Sequence, residues 1–183
     1  MSKFTIINTF KRVTFNEDIK PLVICDIDFT LLHCSISMER IYQLVKNDSI
    51  FLEIKENDLE KAAIDWRNIA YNMGFIKLTD PEGFVEMVNS IRRLGGKLIF
   101  LTARDRLSHD LTIKQFIQVG IQNPEQYEIH YTDNKISKGE YIKKYNLLNN
   151  YQHISFIDDY ISYLGSVLEL FPQVNCYLFN SDS

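Results

Sequence analysis

The sequence has little cysteine. Cys25, Cys34 and Cys176 are its three thiols. The count is odd, and the spacings match neither a disulfide framework nor a zinc pattern. Cys25 and Cys176 lie in apolar runs and read as buried, reduced thiols, so a reducing, cytoplasmic compartment is the expectation. The sequence also lacks any lysine-arginine block, and its net charge is −4. There is therefore no strong nucleic-acid signal, since a coating surface needs a basic stripe. No run approaches the roughly 18 apolar residues of a membrane helix. The opening stretch, Met1-Ser2-Lys3-Phe4-Thr5-Ile6-Ile7-Asn8, has no apolar core of the kind a signal peptide carries. Internal repeats and low-complexity linkers are missing as well. What is present is a chain of 183 residues, 45% hydrophobic and 24% charged. That balance suits one soluble domain over 1–183 with a substantial core. Its oligomeric state is not legible.

Short apolar runs alternate with helical patterns, which is the signature of βα units and a parallel sheet. The runs are Leu22-Val23-Ile24-Cys25, Lys97 to Leu101, Tyr127 to Tyr131, His153 to Ile157 and Asn175 to Phe179. Several are almost wholly apolar, as strands covered on both faces are. Asp80-Pro81 opens one helix, with Asp80 as N-cap. Phe84, Met87, Val88, Ile91 and Leu94 then recur at helical spacing, and Gly95-Gly96 ends it. Further helices are expected from Ser108 to Val119, from Ser137-Lys138-Gly139 to about Asn146, and from Tyr160 to Leu170.

Residues 33–79 do not fit this alternation, and one plain loop of that length is unusual. Asn57-Asp58-Leu59-Glu60 resembles a capping start. Leu59, Ala62, Ala63, Trp66, Ile69, Ala70 and Met73 follow with a helical period. The stretch reads as a small, mainly helical, cap-like insertion after the first strand, with Trp66 in its core. An insertion there lies above the carboxyl ends of the strands, where open α/β sheets bind ligands.

The chemistry-bearing residues cluster at those strand ends. Asp26 and Asp28 follow the first strand, Thr102 the second, and Asp158-Asp159 the fourth, while Lys138 begins a helix. Four carboxylates converging on one crevice repel strongly. At about 4 Å and an effective dielectric near 20, each pair costs about 4 kcal/mol. A cation or large pKa shifts must answer that charge. The donors are hard oxygens, with no histidine or cysteine among them, so Mg²⁺ is favoured over zinc. A metal plus Lys138 in a carboxylate nest suits a phosphoryl group. His33, His109, His130 and His153 read as ordinary polar or packing residues, and Lys143-Lys144 as a solvated helix face.

In order, spacing and strand context these residues resemble the haloacid dehalogenase-like (HAD) superfamily. Asp26-Ile27-Asp28-Phe29-Thr30 is similar to its Asp-x-Asp-x-Thr motif. Thr102, Lys138 and Asp158-Asp159 stand at its second, third and fourth motifs. Leu101-Thr102-Ala103-Arg104, Thr112 to Phe116, Lys138-Gly139-Glu140 and Phe156-Ile157-Asp158-Asp159 resemble a poorly characterised phosphatase-like family within it. The fold implied is a three-layer α/β/α sandwich. Its parallel, Rossmann-like sheet has five strands in the order 5-4-1-2-3, and Phe4 to Ile7 are expected to add a peripheral strand.

The activity implied is Mg²⁺-dependent phosphomonoester hydrolysis through an aspartyl-phosphate. The resemblance makes Asp26 the nucleophile and Asp28 the general acid and base. Thr102 and Lys138 bind the phosphoryl oxygens, aided by main-chain amides near Ile27, Asp28 and Ala103. Asp26, Asp158 and the main-chain carbonyl of Asp28 are the implied metal ligands, with Asp159 in support. A polar residue or glycine is common in relatives where Phe29 stands, and Phe29 reads as packing under the insertion. Arg104 reads either as a substrate contact or as half of a salt bridge. Dehalogenation does not need Asp28, and a receiver domain has a different motif order. A phosphomutase or phosphotransferase shares all four motifs, and a silent phosphate-binding scaffold shares the fold. The partner expected is a phosphorylated substrate of unreadable class.

Overall fold

A computed structural model describes residues 4–47 and 56–180. In chain order the elements are β1 (Phe4–Ile7), β2 (Pro21–Cys25), β3 (Leu32–Cys34), α1 (Met38–Asn47), α2 (Glu56–Asn72), β4 (Ile76–Leu78) and α3 (Pro81–Arg93). They continue with β5 (Lys97–Thr102), α4 (His109–Gln118), β6 (Glu128–Tyr131), α5 (Lys138–Lys144), β7 (His153–Asp158), α6 (Ile161–Leu170) and β8 (Asn175–Phe179). They form two compact units. One runs up to Leu31 and resumes at Thr79; the other is Leu32–Leu78.

The larger unit is built on a six-stranded sheet in the order β1-β8-β7-β2-β5-β6, with every neighbouring pair parallel. The sheet has six strands rather than the five expected in the order 5-4-1-2-3, because the peripheral strand expected at Phe4–Ile7 joins it as β1, outside β8. Phe4–Ile7 pairs in register with Cys176–Phe179. This edge strand is only partly covered: Ile7 is buried and Phe4 half-buried, while Thr5 is exposed and Ile6 is 59% exposed. Such a half-covered tetrapeptide carries a weaker signal than the apolar runs of the sheet's centre. At that centre β2 is bonded on both sides, to β7 and β5, and all five of its residues are buried.

Strand side chains alternate between faces, and each face has its own helical layer. Leu22, Ile24, Ile99, Leu101, Ile154 and Phe156 share one core cluster with Tyr141 and Ile142 of α5 and Leu164 and Val167 of α6. Residues of opposite parity face α3 and α4. Phe100, for instance, meets Phe116 of α4 edge to face at 5.0 Å, and α3 lies against β2 and β5.

Local sequence explains where these helices begin. Asp80 caps α3 by accepting from Gly83 N at 3.0 Å. The same carboxylate accepts from Thr9 Oγ1 at 2.6 Å and Phe10 N at 2.9 Å, tying the N-terminal segment down. Ser137 and Glu140 form a capping box that starts α5 at Lys138. Gly139 lets α5 press against α6, because a Cβ there would lie 2.0 Å from the Ser166 carbonyl oxygen.

The smaller unit contains α1 and α2, and beside these helices it has two short strands. An antiparallel ribbon, β3 with β4, pairs Leu32 with Leu78, His33 with Lys77 and Cys34 with Ile76. These strands are three residues each, too short to show a period in sequence. Ala63, Ala70 and Tyr71 of α2 are buried, whereas Trp66 is 43% exposed rather than in the core. Over its described side chains, the buried face of α2 is therefore narrower than its sequence period implies. The expected start at Asn57 falls within α2, which is already helical at Glu56; the residues before it, 48–55, lie outside those described. Among the described residues no helix is long and apolar enough to cross a membrane.

Candidate active site

The carboxyl ends of β2, β5 and β7 and the start of α5 bring together Asp26, Asp28, Thr102, Lys138 and Asp158. Asp26 directly follows β2, and its amide still donates to Ile157 O at 2.9 Å. That bond extends the β2–β7 ladder by one residue and fixes the backbone that carries the carboxylate. Asp158 is the last residue of β7, and Thr102 is the last of β5. All of Asp26, Thr102, Lys138 and Asp158 are buried.

Lys138 is the centre of charge. Its Nζ donates to Asp26 Oδ1 at 2.5 Å and to Asp158 Oδ2 at 2.6 Å. The Tyr163 ring lies 4.6 Å away on α6, adding a cation–π contact. A fully buried lysine is tolerable only because two carboxylates face it. Burial pulls its pKa down, but Asp26 and Asp158 outweigh burial and the net shift is upward.

The carboxylates respond in the same way. Burial, with the charges of Asp158 and Asp28, pushes Asp26 up to about 7 although Lys138 pulls it down. Burial raises Asp158 to about 6 against the pull of Lys138. Asp159 is also raised to about 6, by burial and by the charge of Asp26. Oxygens of Asp26, Asp158 and Asp159 lie within 4.8 Å of one another. Asp158 Oδ1 accepts from Tyr160 N at 2.9 Å, and Asp159 Oδ1 accepts from Thr30 Oγ1 at 3.2 Å. Thr30 had no assigned role in the sequence; its place as the last residue of the first motif is the available signal.

Asp28 points elsewhere. Arg104 Nε donates to Asp28 Oδ2 at 2.9 Å and Oδ1 at 3.2 Å, and Arg104 Nη2 to Oδ1 at 2.7 Å. Thr102 Oγ1 reaches Asp28 Oδ2 at 3.4 Å and accepts from Arg104 N at 3.2 Å. Of the two readings open for Arg104, the salt bridge is present, as a bidentate pair with Asp28. The arginine's position two residues past Thr102 is the only sequence cue. Of the two residues expected to lend amides alongside Asp28, Ile27 is buried and Ala103 sits half-buried in the turn after β5. Three of the four histidines have partners outside this cluster: His109 with Tyr131, His130 with Glu128, and His153 with Thr14 O. Lys143 and Lys144 are exposed, as a solvated face requires.

Solved structures share this fold at low sequence identity. One is a hydrolase from Streptococcus pneumoniae TIGR4, 13% identical, with a TM-score of 0.53 over 90% of this chain and 95% of that one. Another, from Thermotoga maritima and provisionally assigned as a beta-phosphoglucomutase, is 15% identical, with a TM-score of 0.54 over 84% of this chain and 83% of that one. No curated protein matches the chain. A family model does match, over residues 5–140, described as "Protein of unknown function (DUF2608)". That span takes in Asp26, Asp28, Thr102, Arg104 and Lys138, and on it the chain belongs to the DUF2608 family.

Proposed function

We propose that the chain is a HAD-type phosphatase that hydrolyses a phosphomonoester through an aspartyl-phosphate on Asp26. The observation that carries this reading is Lys138 Nζ, buried and bonded to both Asp26 and Asp158. A lysine so placed offsets the charge of a carboxylate cluster where a phosphoryl group would add more. The neighbours' descriptions, a hydrolase and a provisional phosphomutase, are compatible with phosphoryl transfer on this fold. The reading keeps residues 1–183 as one catalytic domain that carries 33–79 as an insertion.

In the first half-reaction an Asp26 carboxylate oxygen attacks phosphorus, and the ester P–O bond breaks. Asp28 gives its proton to the departing oxygen. In the second, Asp28 takes a proton from water as the water oxygen attacks phosphorus, and Asp26 is released with inorganic phosphate. Thr102 Oγ1 and Lys138 Nζ bind the phosphoryl oxygens, with main-chain amides near Ile27, Asp28 and Ala103. The donor set fits Mg²⁺: the clustered side-chain donors are carboxylate oxygens, close-set and without nitrogen or sulfur ligands. Asp26, Asp158 and the main-chain carbonyl of Asp28 would hold the ion, with Asp159 in support. Bound there, Mg²⁺ supplies charge neutralisation for the phosphoryl oxygens.

Turnover of p-nitrophenyl phosphate tests the reading. Wild type should be active with Mg²⁺ and silent in EDTA. Asp26→Asn should lose at least on the order of 10⁴ in kcat, as removal of a nucleophile does. Asp28→Asn should lose roughly 10²–10⁴, the worth of acid-base help. Activity that survives both Asp26→Asn and metal removal would refute the mechanism. Transfer to a sugar hydroxyl in preference to water would make the chain a phosphomutase or phosphotransferase. Phosphate binding without turnover would make it a scaffold.

A further inference from the structure

We propose that Arg104 is a positioning residue for this reaction, holding the Asp28 carboxylate in the orientation from which it exchanges protons. The proposal rests on the phosphatase reading of the site. Three N–H···O contacts of 2.7, 2.9 and 3.2 Å join the Arg104 fork to both Asp28 oxygens. A two-point contact fixes the rotation of a carboxylate as well as its place, which a single hydrogen bond does not. The fork is itself held. Arg104 Nη1 donates to Thr112 Oγ1 at 2.8 Å, and Thr112, fully buried on α4, donates on to Ser108 O at 2.9 Å. The arginine backbone is fastened too, through Arg104 N to Thr102 Oγ1. One short segment, Thr102 to Thr112, thus runs from a phosphoryl-binding hydroxyl through the guanidinium to a buried anchor.

Exposure separates this pair from an ordinary surface bridge. The Arg104 side chain is 12% exposed and that of Asp28 29%. The exposed bridges of this chain, such as Arg93 with Glu17, join side chains that are 60% and 73% exposed and are weakened by water and side-chain entropy. Arginine is also the residue whose planar fork suits the task, while lysine offers only a point charge. Acid-base catalysis is sensitive to such alignment, because a misplacement of about 1 Å can cost about 10²-fold.

The experiment compares Arg104→Lys, Arg104→Ala and Thr112→Val with wild type on p-nitrophenyl phosphate, full chain, with Mg²⁺. Arg104→Lys should fold and melt near wild type, lose roughly 10–100-fold in kcat and change KM by less than about threefold. Thr112→Val leaves Arg104 in place without its anchor and should lose less, about 3–10-fold. Millimolar guanidinium should restore at least about tenfold of the Arg104→Ala loss, and ammonium at equal ionic strength should not, because only the former is a planar fork. Once Asp28 is Asn, Arg104→Lys should cost nothing further in kcat, since residues acting as a unit are non-additive. A merely structural bridge would give none of this rescue or coupling. If wild type is active and dependent on Asp26, but Arg104→Lys and Thr112→Val keep wild-type kcat, the proposal falls and the phosphatase reading stands. If wild type turns nothing over, the phosphatase reading falls and takes this role with it.

Discussion

Phe29 takes a backbone conformation that aromatic residues seldom adopt, with φ at 62°. Left-handed backbone costs a non-glycine residue about 1–2 kcal/mol. Here it lies between Asp28 and Thr30, in the turn that carries the proposed nucleophile's motif. Strain of this kind is kept where surrounding structure over-determines the turn, and Asp26 N to Ile157 O and Leu31 N to Ile27 O bracket it. Glycine at this position would carry no such cost. Phe29→Ala should lose packing and keep the strain, whereas Phe29→Gly should lose the same packing and shed it. The glycine variant should therefore be the more stable of the two by about 1 kcal/mol, the reverse of the usual order. Urea midpoints compare them directly; an alanine variant at least as stable as glycine would show that the turn is unstrained. The motif residues were legible as residue types at strand ends. The direction of Asp28, toward Arg104 rather than toward the other three aspartates, was not, because rotamers leave no trace in spacing.

Among the elements, α5 does most to place a functional group. It is only seven residues long, yet it delivers a lysine into the core. Three features allow this: the Ser137–Glu140 capping box that sets its start, Asp26 and Asp158 waiting for Nζ, and Gly139 against Ser166. Gly139→Ala would force α5 and α6 apart. It should destabilise by roughly 1–3 kcal/mol, the range for inserting a methyl into a packed contact. It should also lower kcat, since Lys138 is the preceding residue. Denaturant unfolding and turnover of the same preparation check both. Full stability with full activity would mean the helices give way freely. The helix starts were legible because capping is local chemistry: Asp80-Pro81 and Ser137 both cap where sequence put them. The β3–β4 ribbon and the exposure of Trp66 were hidden, because both depend on partners distant along the chain.

At the scale of the whole molecule, the aspartate cluster couples folding to pH. Asp26, Asp158 and Asp159 are raised above the ordinary carboxylate range, which lies near 4. Raised carboxyls favour the protonated folded state. Their contribution to stability is present below about pH 4 and is lost as pH rises toward about 6 to 7. Lys138, raised as well, stays charged across that window. Metal-free protein should thus lose stability between about pH 4 and 7 on account of these groups. Mg²⁺ binds the ionised form, so its stabilisation should be small at about pH 5 and grow by about pH 8. At a hundredfold excess over Kd the gain is about 2.7 kcal/mol, or on the order of 5–10 °C in Tm. Melting curves with and without Mg²⁺ across that range decide the matter, and a shift independent of pH would deny the cluster its metal. The charge problem was legible from sequence, since four aspartates at strand ends demand an answer. Lys138 as part of the answer was legible too; the Tyr163 ring beside its Nζ needed the fold. Thr79 N donates to Leu31 O at 3.0 Å, just where Leu32 and Leu78 begin and end the ribbon. The excursion from 32 to 78 leaves and returns through bonded neighbours. It can therefore be excised and its ends rejoined by a short turn, or exchanged for a longer or shorter module, without altering the length of any strand in the sheet. Over evolutionary time such a doorway lets one part of a gene diverge in size while the aspartates and the lysine keep their places on the sheet.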